Sequence, residues 1–225
     1  MLIKPIGYIK TNFKEKFGIP RQSGRCDLSI GTISFVDEFN NIDAFRELET
    51  FSHIWLIFEF SKAEYKEKTL TVRPPRLGGN KRVGVFASRS PFRPNNLGLS
   101  CVELVGIERN ENGVVLTVSG VDLLDGTPIY DIKPYLPLTD SHPDAKGGYS
   151  SENWDYKLKV VFSKEAEIVL PKETKSALEE CLSDDPRPSY HNDDREYHML
   201  YADYDITFNV KDDVLTVTKI KEGAK

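Results

Sequence analysis

Cysteine and histidine are scarce and scattered in this chain. The three cysteines (Cys26, Cys101, Cys181) are odd in number and show no C-x-x-C spacing, and the four histidines (His53, His142, His191, His198) cluster neither with them nor with each other. Neither a disulfide framework nor a zinc module is indicated, and no metal is expected. Long apolar runs are missing as well: nothing approaches the roughly 18 consecutive apolar residues of a membrane span. The opening residues, Met1-Leu2-Ile3-Lys4-Pro5, lack the basic-then-apolar pattern of an export signal. The expectation is a protein of the cytoplasm with no membrane partner.

The most telling absence is local. Between positions 68 and 102 there is no acidic residue, yet seven basic ones occur there (Lys68, Arg73, Arg76, Lys81, Arg82, Arg89, Arg93), in a chain whose formal net charge is −5. A solvated surface normally mixes its signs, so the segregation points to an anionic partner. The acids collect elsewhere: Asp184, Asp185, Asp193, Asp194, Glu196, Asp203, Asp205, Asp212 and Asp213 stand against only Arg187, Arg195 and Lys211. Two explanations fit this polarity. The basic loops contact phosphates, or they pair internally with the acidic segment.

What is present in the first 140 residues is a series of short β-branched and aromatic runs, at 6–11, 28–36, 53–60, 69–72, 83–87, 99–108, 114–119 and 129–135, separated by turn residues. They predict a sandwich or barrel. The one helical stretch among them, 42–48, is too short for a βαβ crossover. Asn112-Gly113 between two apolar runs predicts a hairpin. From 139 to 152 the composition turns to Asp, Ser, His, Pro, Gly and Lys, which places a boundary between a domain at 1–145 and a smaller one at 153–225. The second is predicted as α+β, with a strand at 156–162, a helix at 172–182 whose Ala177, Leu178 and Cys181 share a side, and strands at 196–210 and 214–220. It is too small for an independent core and is expected to lean on the first domain or on a second subunit.

Several strings carry a family resemblance: Pro20-Arg21-Gln22, Phe51-Ser52-His53-Ile54-Trp55, Val72-Arg73-Pro74-Pro75-Arg76-Leu77-Gly78-Gly79-Asn80, Gly84-Val85-Phe86-Ala87-Ser88-Arg89-Ser90-Pro91-Phe92-Arg93-Pro94-Asn95, and Asp125-Gly126-Thr127-Pro128-Ile129-Tyr130-Asp131-Ile132-Lys133-Pro134-Tyr135. Together with Asp185-Pro186-Arg187-Pro188-Ser189-Tyr190 they resemble the TsaA-like (TrmO) family, S-adenosylmethionine-dependent methyltransferases acting on N6 of threonylcarbamoyl-adenosine beside the tRNA anticodon. The resemblance implies a mainly β protein, a single-sheet β-barrel followed by a small α+β domain, and a homodimer. It also implies S-adenosylmethionine bound by Pro20, Arg21, Gln22, Ser61, Lys62, Arg89, Leu99, Ser119, Gly120, Val121 and Asp122. At Ser61-Lys62 the chain departs from the family's His-Gln type of pair.

The chemistry of those residues is consistent with that ligand. Arg89 or Arg21 offers a planar donor fork for the methionine carboxylate, Asp122 an acceptor for a ribose diol, and Leu99 an apolar contact for adenine. Arg73, Arg76, Lys81, Arg82 and Arg93 are the candidates for tRNA phosphates. Asp131, Lys133 and Tyr135 alternate at period two and so share a strand face, a candidate catalytic set for an acidified nitrogen. Asp125 competes as the base, against a plainer role in shaping its Asp-Gly turn. Phe86 and Phe92 read as packing residues. Two rival functions stay open: a non-catalytic RNA-binding barrel and a dimer that binds a nucleotide-like ligand without turnover.

Overall fold

The computed structural model describes residues 2–63, 70–74, 81–111, 113–151, 156–188 and 195–223; Lys68, Arg76 and Asn112 lie outside them. Strand β1 (Gly7–Thr11) alternates strictly, with Gly7, Ile9 and Thr11 buried and Tyr8 and Lys10 exposed, the pattern of a strand with one wet face. β2 (Ile30–Phe35), β3 (His53–Glu59), β6 (Leu97–Asn110), β7 (Gly113–Ser119) and β8 (Thr127–Pro134) follow the same logic and close into a barrel in the order β1-β2-β7-β6-β3-β8. Every pairing in it is antiparallel, and β1 returns to β8. Ile9, Ile33, Ile54, Leu56, Leu116, Val118 and Ile129 fill its interior. A two-stranded ribbon, β4 (Thr71–Val72) with β5 (Val83–Gly84), stands beside the barrel.

The second unit is a four-stranded sheet, β10 (Tyr197–Tyr201), β11 (Tyr204–Lys211), β12 (Val214–Glu222) and β9 (Lys159–Phe162), in which β9 is parallel to β12. A short helix, α1 (Pro137–Asp140), precedes it; α2 (Lys172–Ser183) packs Ala177, Leu178, Cys181 and Leu182 into its core. No helix among the described residues is long and apolar enough to cross a membrane.

Four local expectations are corrected. The stretch at 42–48 is a 3-10 turn, Ile42–Phe45, which ends where Arg46 takes a ψ of 134°; Glu47, with a left-handed backbone, leads into a second 3-10 turn, Leu48–Thr50. At 83–87 only Val83–Gly84 is strand; Val85–Ala87 is a 3-10 turn. The run at 196–210 is two strands, folded back where Ala202 takes a positive φ of 52°. And Cys26 and Cys181, whose number and spacing indicate no disulfide framework, form a disulfide with Cα atoms 5.3 Å apart across a sequence separation of 155.

That disulfide belongs to a larger junction. The segment from 12 to 29, which connects β1 to β2, leaves the barrel and inserts into the second core, so the small unit does lean on the first. Phe13 packs edge-on against Tyr201 at 5.5 Å, and Phe17 stacks on Tyr197 at 6.1 Å and on Phe208 at 6.2 Å. Burying one such ring is worth about 1.5–3 kcal/mol. Gly18, at φ +89°, lies where any Cβ would run into Met199.

Candidate cofactor cavity and its basic surroundings

The inserted segment does not bury all of itself. Its Pro20, Arg21 and Gln22 face a cavity of about 810 Å³ at the end of β3 and β6, within the range typical of small-molecule sites. The opposite wall is built by Arg89, Pro91, Phe92 and Arg93, and the side by Phe60, Ser61, Lys62, Leu97 and Leu99. Gly98 forms part of the floor, and a Cβ there would collide with the Phe58 ring; a glycine inside a strand is the sequence signal for such a close approach.

Two carboxylates line the cavity: Glu59, which accepts from the Tyr130 hydroxyl at 2.6 Å, and Asp122. Ser100 Oγ donates to Asp122 Oδ1 at 2.6 Å. Burial pushes the Asp122 carboxyl up to about 6, against the opposing pull of the Ser100 hydroxyl, backbone N–H groups including that of Ser23, and the Arg89 charge. Arg89 Nη1 donates to Gln22 Oε1, bringing one wall and the inserted segment together over the cavity. Arg21 is committed otherwise: its Nη2 donates to the carbonyls of Asp185 at 3.1 Å and Arg187 at 2.7 Å, in the second unit. Of the two arginines considered for a ligand carboxylate, Arg89 is therefore the better placed.

The remaining expected ligand residues divide. Ser61, Lys62 and Leu99 line the cavity. Ser119, Gly120 and Val121 lie behind it: Ser119 Oγ donates to Asp27 O at 2.6 Å, Gly24 N to Gly120 O at 3.0 Å, and Val121 N to Ser29 O at 3.2 Å. They fasten the inserted segment and present Asp122. Sequence reasoning missed Phe60, Leu97 and Ser100 as lining residues, although Gly98 and Ser100 share the inward face of β6.

Asp131, Lys133 and Tyr135 do share a face, the outer wall of the barrel. Lys133 Nζ stands 3.3 Å from Asp131 Oδ2, and the Tyr135 ring lies 5.8 Å from Trp55. They do not line the cavity. Asp131 is paired across the sheet with Ile57, two residues before Glu59, and lies four residues along β8 from Thr127; Glu59 and Thr127 both line the cavity. Asp125 takes the turn-shaping role, accepting from Thr11 N at 2.9 Å and from Lys14 Nζ at 2.9 Å.

Arg73, Lys81 and Arg82 are exposed on the ribbon, with Arg82 Nη1 donating to Thr71 Oγ1 at 2.8 Å; Arg93 lies on the cavity wall, its Nη1 on Ser88 O at 3.0 Å. Among the described residues none of the four pairs with an acid. The acids answer to other partners: Asp184 to Arg25 and Lys157, Asp185 to Arg187, and Asp213 to the Tyr156 hydroxyl. Asp193 and Asp194 of the acidic segment lie, like Arg76, outside the described residues.

The family model of the tRNA-methyltransferase O N-terminal domain matches residues 8–141, and that of the TrmO C-terminal domain matches residues 155–223. The chain belongs to the tRNA-methyltransferase O family. Among the similar proteins are the tRNA (adenine(37)-N6)-methyltransferase of Escherichia coli, 40% identical over 216 residues and covering 92% of each chain, and a putative S-adenosylmethionine-dependent methyltransferase, RcsF, of Pseudomonas aeruginosa, 38% identical over 98% of each. The crystal structure of TrmO from Pseudomonas aeruginosa superposes with a TM-score of 0.79 at 34% identity, covering 98% of both chains. In tRNA-methyltransferase O terms, the whole cavity lies within the N-terminal match, while the carbonyls that hold Arg21 come from the C-terminal one.

Proposed function

We infer that this protein is an S-adenosylmethionine-dependent methyltransferase that acts on N6 of adenosine 37 of tRNA, beside the anticodon, with threonylcarbamoyl-adenosine as the base methylated. The observation that carries the reading is the cavity itself: a raised-pKa carboxylate, Asp122, on its floor and a guanidinium, Arg89, on its wall, in a chain 40% identical to the Escherichia coli enzyme.

The residues suit the cofactor. Asp122 would accept from the ribose hydroxyls, Arg89 would meet the methionine carboxylate, and Leu97, Leu99 and Phe60 would provide an apolar wall for adenine. When bound, the cofactor supplies an electrophilic methyl group on a sulfonium. The protein's part is alignment: a water-poor floor, a guanidinium clamp and a cation-rich mouth that orient the incoming nitrogen. Because that nitrogen lies between a purine and a carbamoyl carbonyl, its proton is acidified, and a nearby carboxylate assists its removal.

Asp131, with Lys133 and Tyr135, is our candidate for that assistance, in a homodimer where the outer wall of one protomer approaches the cavity of its partner; its half-exposed side chain supports the reading. Cytoplasmic residence, where tRNA is modified, accompanies it. Arg73, Lys81, Arg82 and Arg93 are assigned to tRNA phosphates. Calorimetry with S-adenosylmethionine, followed by transfer of labelled methyl to tRNA with and without threonylcarbamoyl-adenosine, tests the proposal. Heat without transfer would favour a ligand-binding dimer, and tRNA binding without cofactor heat a non-catalytic RNA-binding barrel.

A further inference from the structure

Phe86 leaves 79% of its surface in solvent and Phe92 leaves 49%, although the sequence reads both as packing residues. Both line the mouth of the cavity, and neither ring packs against another aromatic ring among the described residues. An isolated exposed aromatic is ordinary; two on the rim of one cavity are a feature to account for.

Their presentation is rigid. Val85, with only 1% of its surface exposed, anchors the turn that carries Phe86. Ser88 Oγ donates to Val85 O at 2.9 Å, Tyr149 Oη to Ala87 O at 2.9 Å, Arg93 Nη1 to Ser88 O at 3.0 Å, and Phe92 N to Ser90 Oγ at 3.2 Å. The turn is thus fastened from within and from the connection to the second unit, and it holds Phe86 out at the cost of leaving its ring wet. Around the rings stand Arg89, Arg93, Lys62 and Lys16, and no acidic residue occurs from position 68 to position 102.

The two carboxylates of the same cavity are already engaged, Glu59 by the Tyr130 hydroxyl and Asp122 by the Ser100 hydroxyl, each at 2.6 Å. Aromatic faces set among cations fit an unpaired nucleobase attached to a phosphate backbone: the rings accept the base by stacking, and the cations meet the adjoining phosphates. Rim-against-rim docking of a second copy of this chain fits less well, because it would crowd the rim cations against their own copies.

We propose that Phe86 and Phe92 form a stacking jaw that receives an unpaired base of the tRNA anticodon loop and directs it into the cavity. The proposal rests on the tRNA reading above. It assigns the rings to substrate affinity and leaves the cofactor to the Asp122 and Arg89 side. The target base lies in a loop, so taking it from its neighbours costs less than extrusion from a duplex, and stacking on the jaw offsets that cost.

The test uses the full chain and a synthetic anticodon stem-loop, with affinity measured by filter binding and S-adenosylmethionine affinity by calorimetry. Phe86→Ala is expected to weaken stem-loop binding by about 10- to 100-fold, the loss of one stacked base, with cofactor affinity unchanged and Phe86→Trp restoring the stem-loop. Phe92→Ala should act in the same direction. The slope of affinity against salt should stay as in the unsubstituted protein, since the phosphate contacts remain.

Unchanged stem-loop affinity in both alanine variants overturns the jaw. So does a parallel loss of cofactor affinity, which would place the rings on the cofactor, or a fall in solution mass by sedimentation, which would make them a subunit contact. A protein that binds the stem-loop through Phe86 yet transfers no methyl group would instead retain the jaw and sink the enzymatic reading.

Discussion

Arg25 and Asp184, 159 residues apart in sequence, meet with Nε 2.7 Å from Oδ1 and only 7% and 5% of their side chains in contact with solvent. The pair locks the segment that supplies Pro20, Arg21 and Gln22 to the end of α2. Lys157 adds a second cation 3.6 Å from the same carboxylate.

Removing one partner of a buried pair leaves the other charged and desolvated. Asp184→Ala is therefore expected to lower stability by about 3–5 kcal/mol, read as a shifted urea midpoint, whereas the doubly apolar Arg25→Leu with Asp184→Leu should lose much less. Cofactor affinity should fall in Asp184→Ala even under conditions where the chain remains folded, because the rim loses its fastening.

Asp122 gives a pH prediction. Its carboxyl is raised from the ordinary 3.8 to about 6 by burial, so the folded state binds a proton more tightly than the unfolded one. The stability contributed by this group is present below about pH 4 and is lost as pH rises towards 6. Asp122→Asn should thus gain stability relative to the parent above pH 6 and show little difference near pH 4. Cofactor affinity should behave in the opposite sense: the parent should weaken as pH falls below 6, and the Asn variant should bind poorly at every pH. A flat affinity profile in the parent would remove Asp122 from the ligand.

Thiol titration tests the Cys26–Cys181 bond. The unreduced, denatured protein should show one free thiol, Cys101, and the reduced protein three. Reduction should cost stability on the order of 2–4 kcal/mol, the usual value of a native disulfide, seen as a lower melting temperature.

Mixing two inactive variants tests the outer-wall assignment. Asp131→Ala and Arg89→Ala should each lose most methyl transfer, the first with cofactor affinity retained and the second without it. If the Asp131 set serves the cavity of the partner, a mixed dimer should recover part of the activity. Recovery of none would confine the set to its own subunit or to a structural role.

Much of the barrel was legible because its strands bury one face, and period-two alternation records that directly. The hairpin at Gly113 was legible because its backbone, at φ +102°, takes a conformation glycine favours, and Asp212 and Asp213 turn with positive φ where acidic residues break an apolar run. The Ala202 turn was hidden because alanine does not advertise a left-handed backbone. The pairing of Cys26 with Cys181 was hidden for a different reason: it depends on where the inserted segment goes, and no local pattern encodes that. The site was partly readable in the same sense. Arg89, Leu99, Asp122 and the Pro20-Arg21-Gln22 string meet around one cavity, but the diversion of Arg21 to two distant carbonyls and the exposure of Phe86 arise from tertiary packing alone.

The segment from 12 to 29 sets its aromatic side chains in one core and its polar rim over a cavity in the other unit. A barrel expressed without the C-terminal sheet would carry Phe13 and Phe17 into water and leave Arg21 without its acceptors. The cavity and the distant sheet should therefore melt together, and the last event in folding should be the docking that completes the ligand site.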